Sequence, residues 1–164
     1  MALAQVDHLT FSYAEAGGPA WRQTTFFPFS LTARHASGTV VPLALEVPLV
    51  DTAEHGPVPA VDAVATYDAA SHVVSVFLVN RSATEPVALD LALAGLGGMH
   101  IVEHVVLADD DPHARNTSDA PTRVQPRRVP PAAAVDGLRP VTLPPVSWSM
   151  LRLEPAAAPD AAGR

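Results

Sequence analysis

Between residues 38 and 153 apolar residues recur at every second position in short runs, and no helical period intervenes. Val87, Leu89, Leu91 and Leu93 alternate with Ala88, Asp90 and Ala92. Val146, Trp148 and Met150 alternate with Ser147 and Ser149. Met99, Ile101, Val105 and Leu107 fall on one face of a further run, interrupted by Glu103. The stretch His72 to Asn80 (HVVSVFLVN) is apolar on both faces, which predicts a central strand covered on each side. Turn-forming clusters separate the runs: Asp68-Ala69-Ala70-Ser71, Arg81 to Pro86, and Gly95 to Gly98. Strands spaced by about 10–15 residues without helices between them predict an antiparallel β-sandwich or barrel.

The composition narrows the function classes. The chain has 164 residues, 48 % of them apolar, enough for one domain with a sizeable core. Net charge is -7, and all ten basic residues are arginine. That balance argues against nucleic acid or an anionic membrane surface as partner. With no cysteine, disulfides, thiolate nucleophiles and cysteine-based zinc sites are excluded. Met1 to Thr10 lacks the basic and apolar regions of a secretory signal. No apolar run approaches the roughly 18 residues that span a bilayer. These features lead to the expectation of a cytoplasmic protein. N-x-S triplets occur at Asn80 and Asn116, but such triplets are common by chance.

The first 36 residues read differently, as mixed and partly helical. Gly17-Gly18-Pro19 predicts a turn, and Ala20 to Ala36 a helical stretch. Phe26, Phe29, Ala33 and Ala36 recur at three- and four-residue steps, giving one apolar face. Pro28 should kink this helix or delay its start. Asp109 to Pro131 is rich in Asp, Pro, Arg and Ser without period. It is expected to form a long surface loop of the kind that often docks on a neighbour. The segment 154–164 is low-complexity and predicted to be a disordered tail.

Two segments are more specific. One is GGPAWRQTTFFPF (17 to 29), followed by Arg34-His35 and Gly38-Thr39-Val40. The other is VPAVDAVATYD (58 to 68) with VSVFLVNRS (74 to 82), continuing through Glu85-Pro86, IVEHVVL (101 to 107), Asn116-Thr117 and LPPVSWSMLRL (143 to 153). In this order they resemble the C-terminal part of family 51 α-L-arabinofuranosidases, over about residues 1 to 153. The resemblance implies a (β/α)8 barrel followed by a β-sandwich. Residues 1–36 would be the last strand–helix portion of the barrel, and 38–153 the sandwich, of jelly-roll or Greek-key type. The implied parent reaction is retaining hydrolysis of terminal non-reducing α-L-arabinofuranosyl residues of arabinan or arabinoxylan, in L-arabinose metabolism. The family's two catalytic glutamates have no matching position in these 164 residues, so the chain is expected to be inactive alone. Arabinose-containing oligosaccharides would be partners only with the rest of the barrel present.

The residues agree with that absence. A retaining glycosidase needs two carboxyl groups about 5–5.5 Å apart. Glu103 and Glu46, read on two strands, form the only pair considered, and a strand carboxylate in a hydrogen bond is the plainer reading. By the resemblance, Gln23 of the W-x-Q motif would contact the sugar or orient the nucleophile at the barrel rim. Trp21 could stack on a sugar face or pack between barrel and sandwich. Arg22 is expected to make a local salt bridge or backbone contact rather than a substrate contact, Asn80 to satisfy turn backbone groups, and Arg81 to pair with nearby acids. Trp148 reads as core. Glu103-His104 point to opposite strand faces and cannot chelate one ion. Asp109-Asp110-Asp111 lacks the spacing of a calcium loop. No cofactor motif and no metal site are read.

A rival reading is a free-standing carbohydrate-binding β-sandwich module. It would need two or three exposed aromatics on one face, and the aromatics here fall mostly in the helical start or on apolar strands. A barrel piece of 36 residues cannot close a barrel. Its apolar face would then favour self-association, so a homo-oligomer or self-association is expected.

Overall fold

A computed structural model describes residues 11–13, 20–92, 98–134 and 138–156. Its centre is a six-stranded sheet in the order β10-β9-β12-β7-β6-β3. The strands are β3 (Thr39–Val41), β6 (Val61–Asp68), β7 (Val73–Asn80), β9 (Met99–Leu107), β10 (Arg127–Arg128) and β12 (Ser147–Pro155). Every pairing in it is antiparallel. The HVVSVFLVN run supplies β7, flanked by β12 and β6 and buried along most of its length, as a two-faced apolar run requires.

The two faces of the sheet are covered by different things. On one face Val74, Val76 and Leu78 of β7 join Leu151 and Leu153 of β12 and Ala65 of β6. Over them lie β8 (Val87–Leu91) and β11 (Arg139–Leu143), paired from Val87↔Leu143 to Leu91↔Arg139. Val87, Val141 and Leu143 point into this layer, and Leu143 is fully buried. The hairpin of β4 (Leu49–Thr52) and β5 (Gly56–Pro59) extends the same layer through Val50. This is the antiparallel sandwich that the period of two predicts. Val87, Leu89 and Leu91 do face inward; Leu93 lies outside the described residues, as do Gly17-Gly18-Pro19, Gly95 to Gly97 and the tail beyond Ala156. Glu154 and Pro155 belong to β12, so the strand runs two residues past the predicted end.

On the opposite face Phe77, Val105 and Met150 form a smaller apolar cluster, with Trp148 and Leu31 packed against it. Leu31 comes from α1 (Phe26–His35), which follows the short pair β1 (Phe11–Tyr13) and β2 (Ala20–Arg22). Ala20 to Arg22 is thus strand rather than helix. Pro28 delays the helix: it sits in the first turn, where no backbone N–H is needed. Of the stripe predicted as the helix's apolar face, only Phe26 is half-buried and the other three residues are exposed. Phe29 is 66 % exposed and Ala33 and Ala36 are exposed, while Leu31 faces inward. The helix is apolar on more than one side, so period alone does not select the buried one.

Strand β9 also departs from its predicted pattern. The register with β12 shifts between Arg152 and Leu153, leaving Val102 as an extra residue. Met99 and Ile101 therefore pack in the sandwich core, whereas Val105 faces the helix. A bulge inverts the side-chain parity of everything after it. Val146 is not a strand residue either. It lies in the turn before β12 with φ 43°, a conformation that β-branched residues rarely adopt. At Gly38, φ is 82° and a Cβ would collide with the Tyr67 carbonyl, so only glycine fits where β3 meets β6.

Candidate functional site

Trp21 and Gln23, the two residues singled out for sugar contact, lie at the end of β2 and in the turn before α1. Both are half-buried. The Trp21 indole N–H donates to the carbonyl of Asn116 at 3.0 Å, across 95 positions of chain. The Gln23 carbonyl accepts from the Phe26 N–H at 3.0 Å, which starts the helix. Arg22 lies against an aromatic ring: its guanidinium is 4.7 Å from the centre of the Phe26 ring. The helix has no side-chain N-cap, and Thr24 and Thr25 line a cleft of about 350 Å3 instead. Its other walls include Val79 and Trp148 from the sheet and Asp109 and Pro112 from the long loop. Trp148 lies in the apolar cluster with its ring centre 6.2 Å from that of Phe77, half-buried rather than fully enclosed.

The Asp109–Pro131 segment is not simply a surface loop. Arg127 and Arg128 form edge strand β10, and Asn116 and Val124 are buried. Asn116 is 1 % exposed, and its amide N donates to the carbonyls of Arg22 at 2.9 Å and Val124 at 3.0 Å. Its Oδ1 accepts from the Val124 N–H at 2.8 Å. Two of the three aspartates of the acidic triplet share one arginine. Arg123 reaches Asp111 at 2.9 Å and Asp109 at 3.5 Å. The His113 N–H and Arg123 together hold the Asp111 carboxyl below its usual pKa.

Among the described residues, the two glutamates singled out do not assemble into a hydrolytic pair. Glu103 is held by Arg128 at 2.8 Å with its side chain 14 % exposed, on the sheet face that carries the helix. Glu46 is on no strand; it lies exposed in the segment between β3 and β4, whose Val47 packs into the opposite core. The reading of Glu46 as a strand residue is thereby corrected, and with it the face-to-face pairing of Glu46 and Glu103 on two strands. Arg81 pairs with Asp62 at 2.7 Å, and Asn80 satisfies the carbonyls of the turns around it. Among the described residues no group of three or more His, Asp or Glu side chains is placed to hold a metal ion.

Among the described residues two histidines are perturbed. His104 is buried in the sheet, with Nε2 lacking a partner, and burial pushes its pKa below the usual imidazole range. Glu103 and His104 do lie on opposite faces, opposite Arg152 and Leu151 respectively. His35, at the end of α1, is lowered mainly by burial, against the pull of Glu103. It lines a cavity of about 300 Å3 with Arg34, Asp68 and Arg152.

Comparison with known proteins decides the family. The model of the alpha-L-arabinofuranosidase C-terminal domain matches residues 2–147. The chain belongs to this family. An intracellular exo-alpha-(1->5)-L-arabinofuranosidase of Streptomyces lividans is 45 % identical over 138 residues, 84 % of this chain and 21 % of that protein. An exo-alpha-(1->6)-L-arabinofuranosidase of Bifidobacterium longum is 40 % identical over 143 residues, 85 % of this chain and 27 % of that protein. A solved family 51 α-L-arabinofuranosidase from Bifidobacterium longum superposes with a TM-score of 0.79 at 38 % identity, over 86 % of this chain and 28 % of that one. This C-terminal domain thus spans about a quarter of the length of the proteins it matches. No described helix is long and apolar enough to cross a membrane.

Asn116 is the residue that sequence reasoning used least. Its Asn-Thr-Ser triplet suggests a glycan acceptor, yet the buried amide is spent on two carbonyls. Asn80, in the other triplet, is equally buried.

Proposed function

We propose that this chain works as the non-catalytic C-terminal part of an exo-acting α-L-arabinofuranosidase. The barrel with both catalytic glutamates comes from sequence outside these residues. The parent reaction is removal of terminal non-reducing α-L-arabinofuranosyl units with retention; the exo-acting arabinofuranosidases among the relatives support the reaction class, and the Streptomyces lividans relative, named intracellular, supports a place inside the cell. One observation carries the reading: the family model for this C-terminal domain matches residues 2–147, almost the entire chain.

Residues 1–36 are the last strand–helix portion of the barrel in this reading. The exposed Phe29, Ala33, Ala36 stripe of α1 is what a neighbouring barrel helix would cover. Gln23 then reaches the C-terminal rim of the barrel, where (β/α)8 active sites lie. There its amide hydrogen-bonds a hydroxyl of the arabinofuranose. Trp21 packs between the two domains, its indole N–H engaged by the Asn116 backbone carbonyl. Alone, the chain self-associates through the helix stripe.

Co-expression tests the reading. The Streptomyces lividans relative, cut before its matching stretch, is produced with and without this chain. Soluble barrel and arabinofuranosidase activity only in the presence of the chain is the expected result. A truncated barrel that is fully active and soluble by itself rejects the reading.

A further inference from the structure

The long loop holds the Trp21–Gln23 segment through one side chain. The Asn116 amide N–H that reaches the Arg22 carbonyl spans 94 positions of chain, and the Trp21 indole returns to the Asn116 carbonyl. The other bonds of the same amide close the loop on itself at Val124, so that it presents a fixed surface to β2. Asn116 can therefore neither rotate nor move away without breaking several buried bonds at once.

What it grips matters. The carbonyl of Arg22 and the backbone nitrogen of Gln23 belong to one planar peptide unit. Fixing the direction of that carbonyl fixes the plane from which Gln23 departs. On the other side, the Gln23 carbonyl is fixed by the Phe26 N–H at the start of the helix. Gln23 is clamped at both flanking peptides, one of them by a residue of the sandwich.

We propose that Asn116 is a positioning residue for the sugar subsite, acting through Gln23: the sandwich loop sets the geometry of a barrel-rim side chain. This rests on the reading of Gln23 as a substrate contact. It assigns the sandwich a part in substrate binding beyond support. Displacement of a binding group by about 1 Å costs on the order of 100-fold in rate, so loss of the clamp should be visible in kinetics.

The test grafts this chain in place of the matching stretch of the Streptomyces lividans relative, leaving that protein's barrel to supply the glutamates. Gln23→Ala, Asn116→Ala and the double variant are compared on a nitrophenyl arabinofuranoside, well below their melting temperatures. Asn116→Ala is expected to lower kcat/KM by roughly tenfold or more, and to cost nothing further once Gln23 is alanine. Independent, multiplying losses overturn the proposal, because a merely structural residue would act whether or not Gln23 is present. A Gln23→Ala graft with full activity sinks the substrate reading instead. Gln23→Ala impaired with Asn116→Ala unimpaired sinks the positioning proposal alone. Hydrogen exchange in the 164-residue chain itself decides if the graft is silent. The Phe26 amide proton, bonded to the Gln23 carbonyl, should exchange at least tenfold faster in Asn116→Ala while β7 amides keep their protection, and unchanged Phe26 protection contradicts the clamp.

Discussion

The side-chain amide of Asn80 donates to the carbonyl of Leu143, 63 positions later, at 3.1 Å in the fully buried end of the sandwich. The same amide group lies 2.9 Å from the Pro144 carbonyl and 3.0 Å from that of Glu85, and its Oδ1 accepts from the Ser82 N–H at 3.0 Å. One residue thus joins the end of β7 to the turns that lead into β8 and β12. Replacement by alanine strands several buried carbonyls and an N–H, at a cost of about 3 kcal/mol. Asn80→Asp should do at least as much harm at neutral pH, since a carboxylate would face carbonyl oxygens. Urea unfolding of both variants measures this, and a loss below about 1 kcal/mol for either contradicts the role.

His104 makes stability depend on pH. In the folded chain burial favours the neutral imidazole, whereas in the unfolded chain the ring titrates near the ordinary imidazole pKa of about 6.5. Below that pH the unfolded state binds more protons than the folded one, so stability falls as pH falls; above it the contribution is constant. His35 acts in the same direction. Denaturation midpoints should drop between pH 7.5 and 5.5, and His104→Leu should flatten that drop. An identical pH slope in the variant rules His104 out as the cause.

Val146 stores strain. Its φ of 43° is imposed by the bond from its N–H to the Ser82 carbonyl at 2.9 Å and by the start of β12 behind it. Relief of a left-handed conformation is worth roughly 2 kcal/mol, less about 1 kcal/mol for the added freedom of glycine. The Val146→Gly variant should therefore be more stable by about 1 kcal/mol, because the side chain is largely exposed and loses little contact. A lowered melting temperature would show that the valine packs more than it strains.

Phe29 is expected to drive self-association of the isolated chain. It is exposed in the middle of α1, so Phe29→Asp should leave the fold intact. Light scattering at micromolar concentration should show dimers or larger species for the unsubstituted chain and a shift toward monomer for the variant. A monomeric unsubstituted chain contradicts the expectation.

Much of this fold was legible because β-strands announce themselves by parity. The HVVSVFLVN run declared a central strand, and Val87 to Leu91 declared a half-buried one. Parity failed where a single residue breaks it: the extra Val102 in β9 sends Val105 to the helix side, and no residue type marks the bulge. It failed again at Val146, which matches the alternation yet sits in a turn. The outward stripe of α1 was visible as a stripe, but its direction depends on what covers the helix. The candidate site was half legible. Trp21 and Gln23 stood out through their motif, whereas Asn116, 93 positions beyond Gln23, acts through contacts that only the folded loop creates.

The most direct measurement is turnover by the purified 164-residue chain on a nitrophenyl α-L-arabinofuranoside. The central claim is that these residues brace a catalytic barrel and hold no glycosidic chemistry of their own. It predicts no nitrophenol release above the uncatalysed blank at any attainable concentration. Release that scales with the chain and persists through successive purification steps would contradict it.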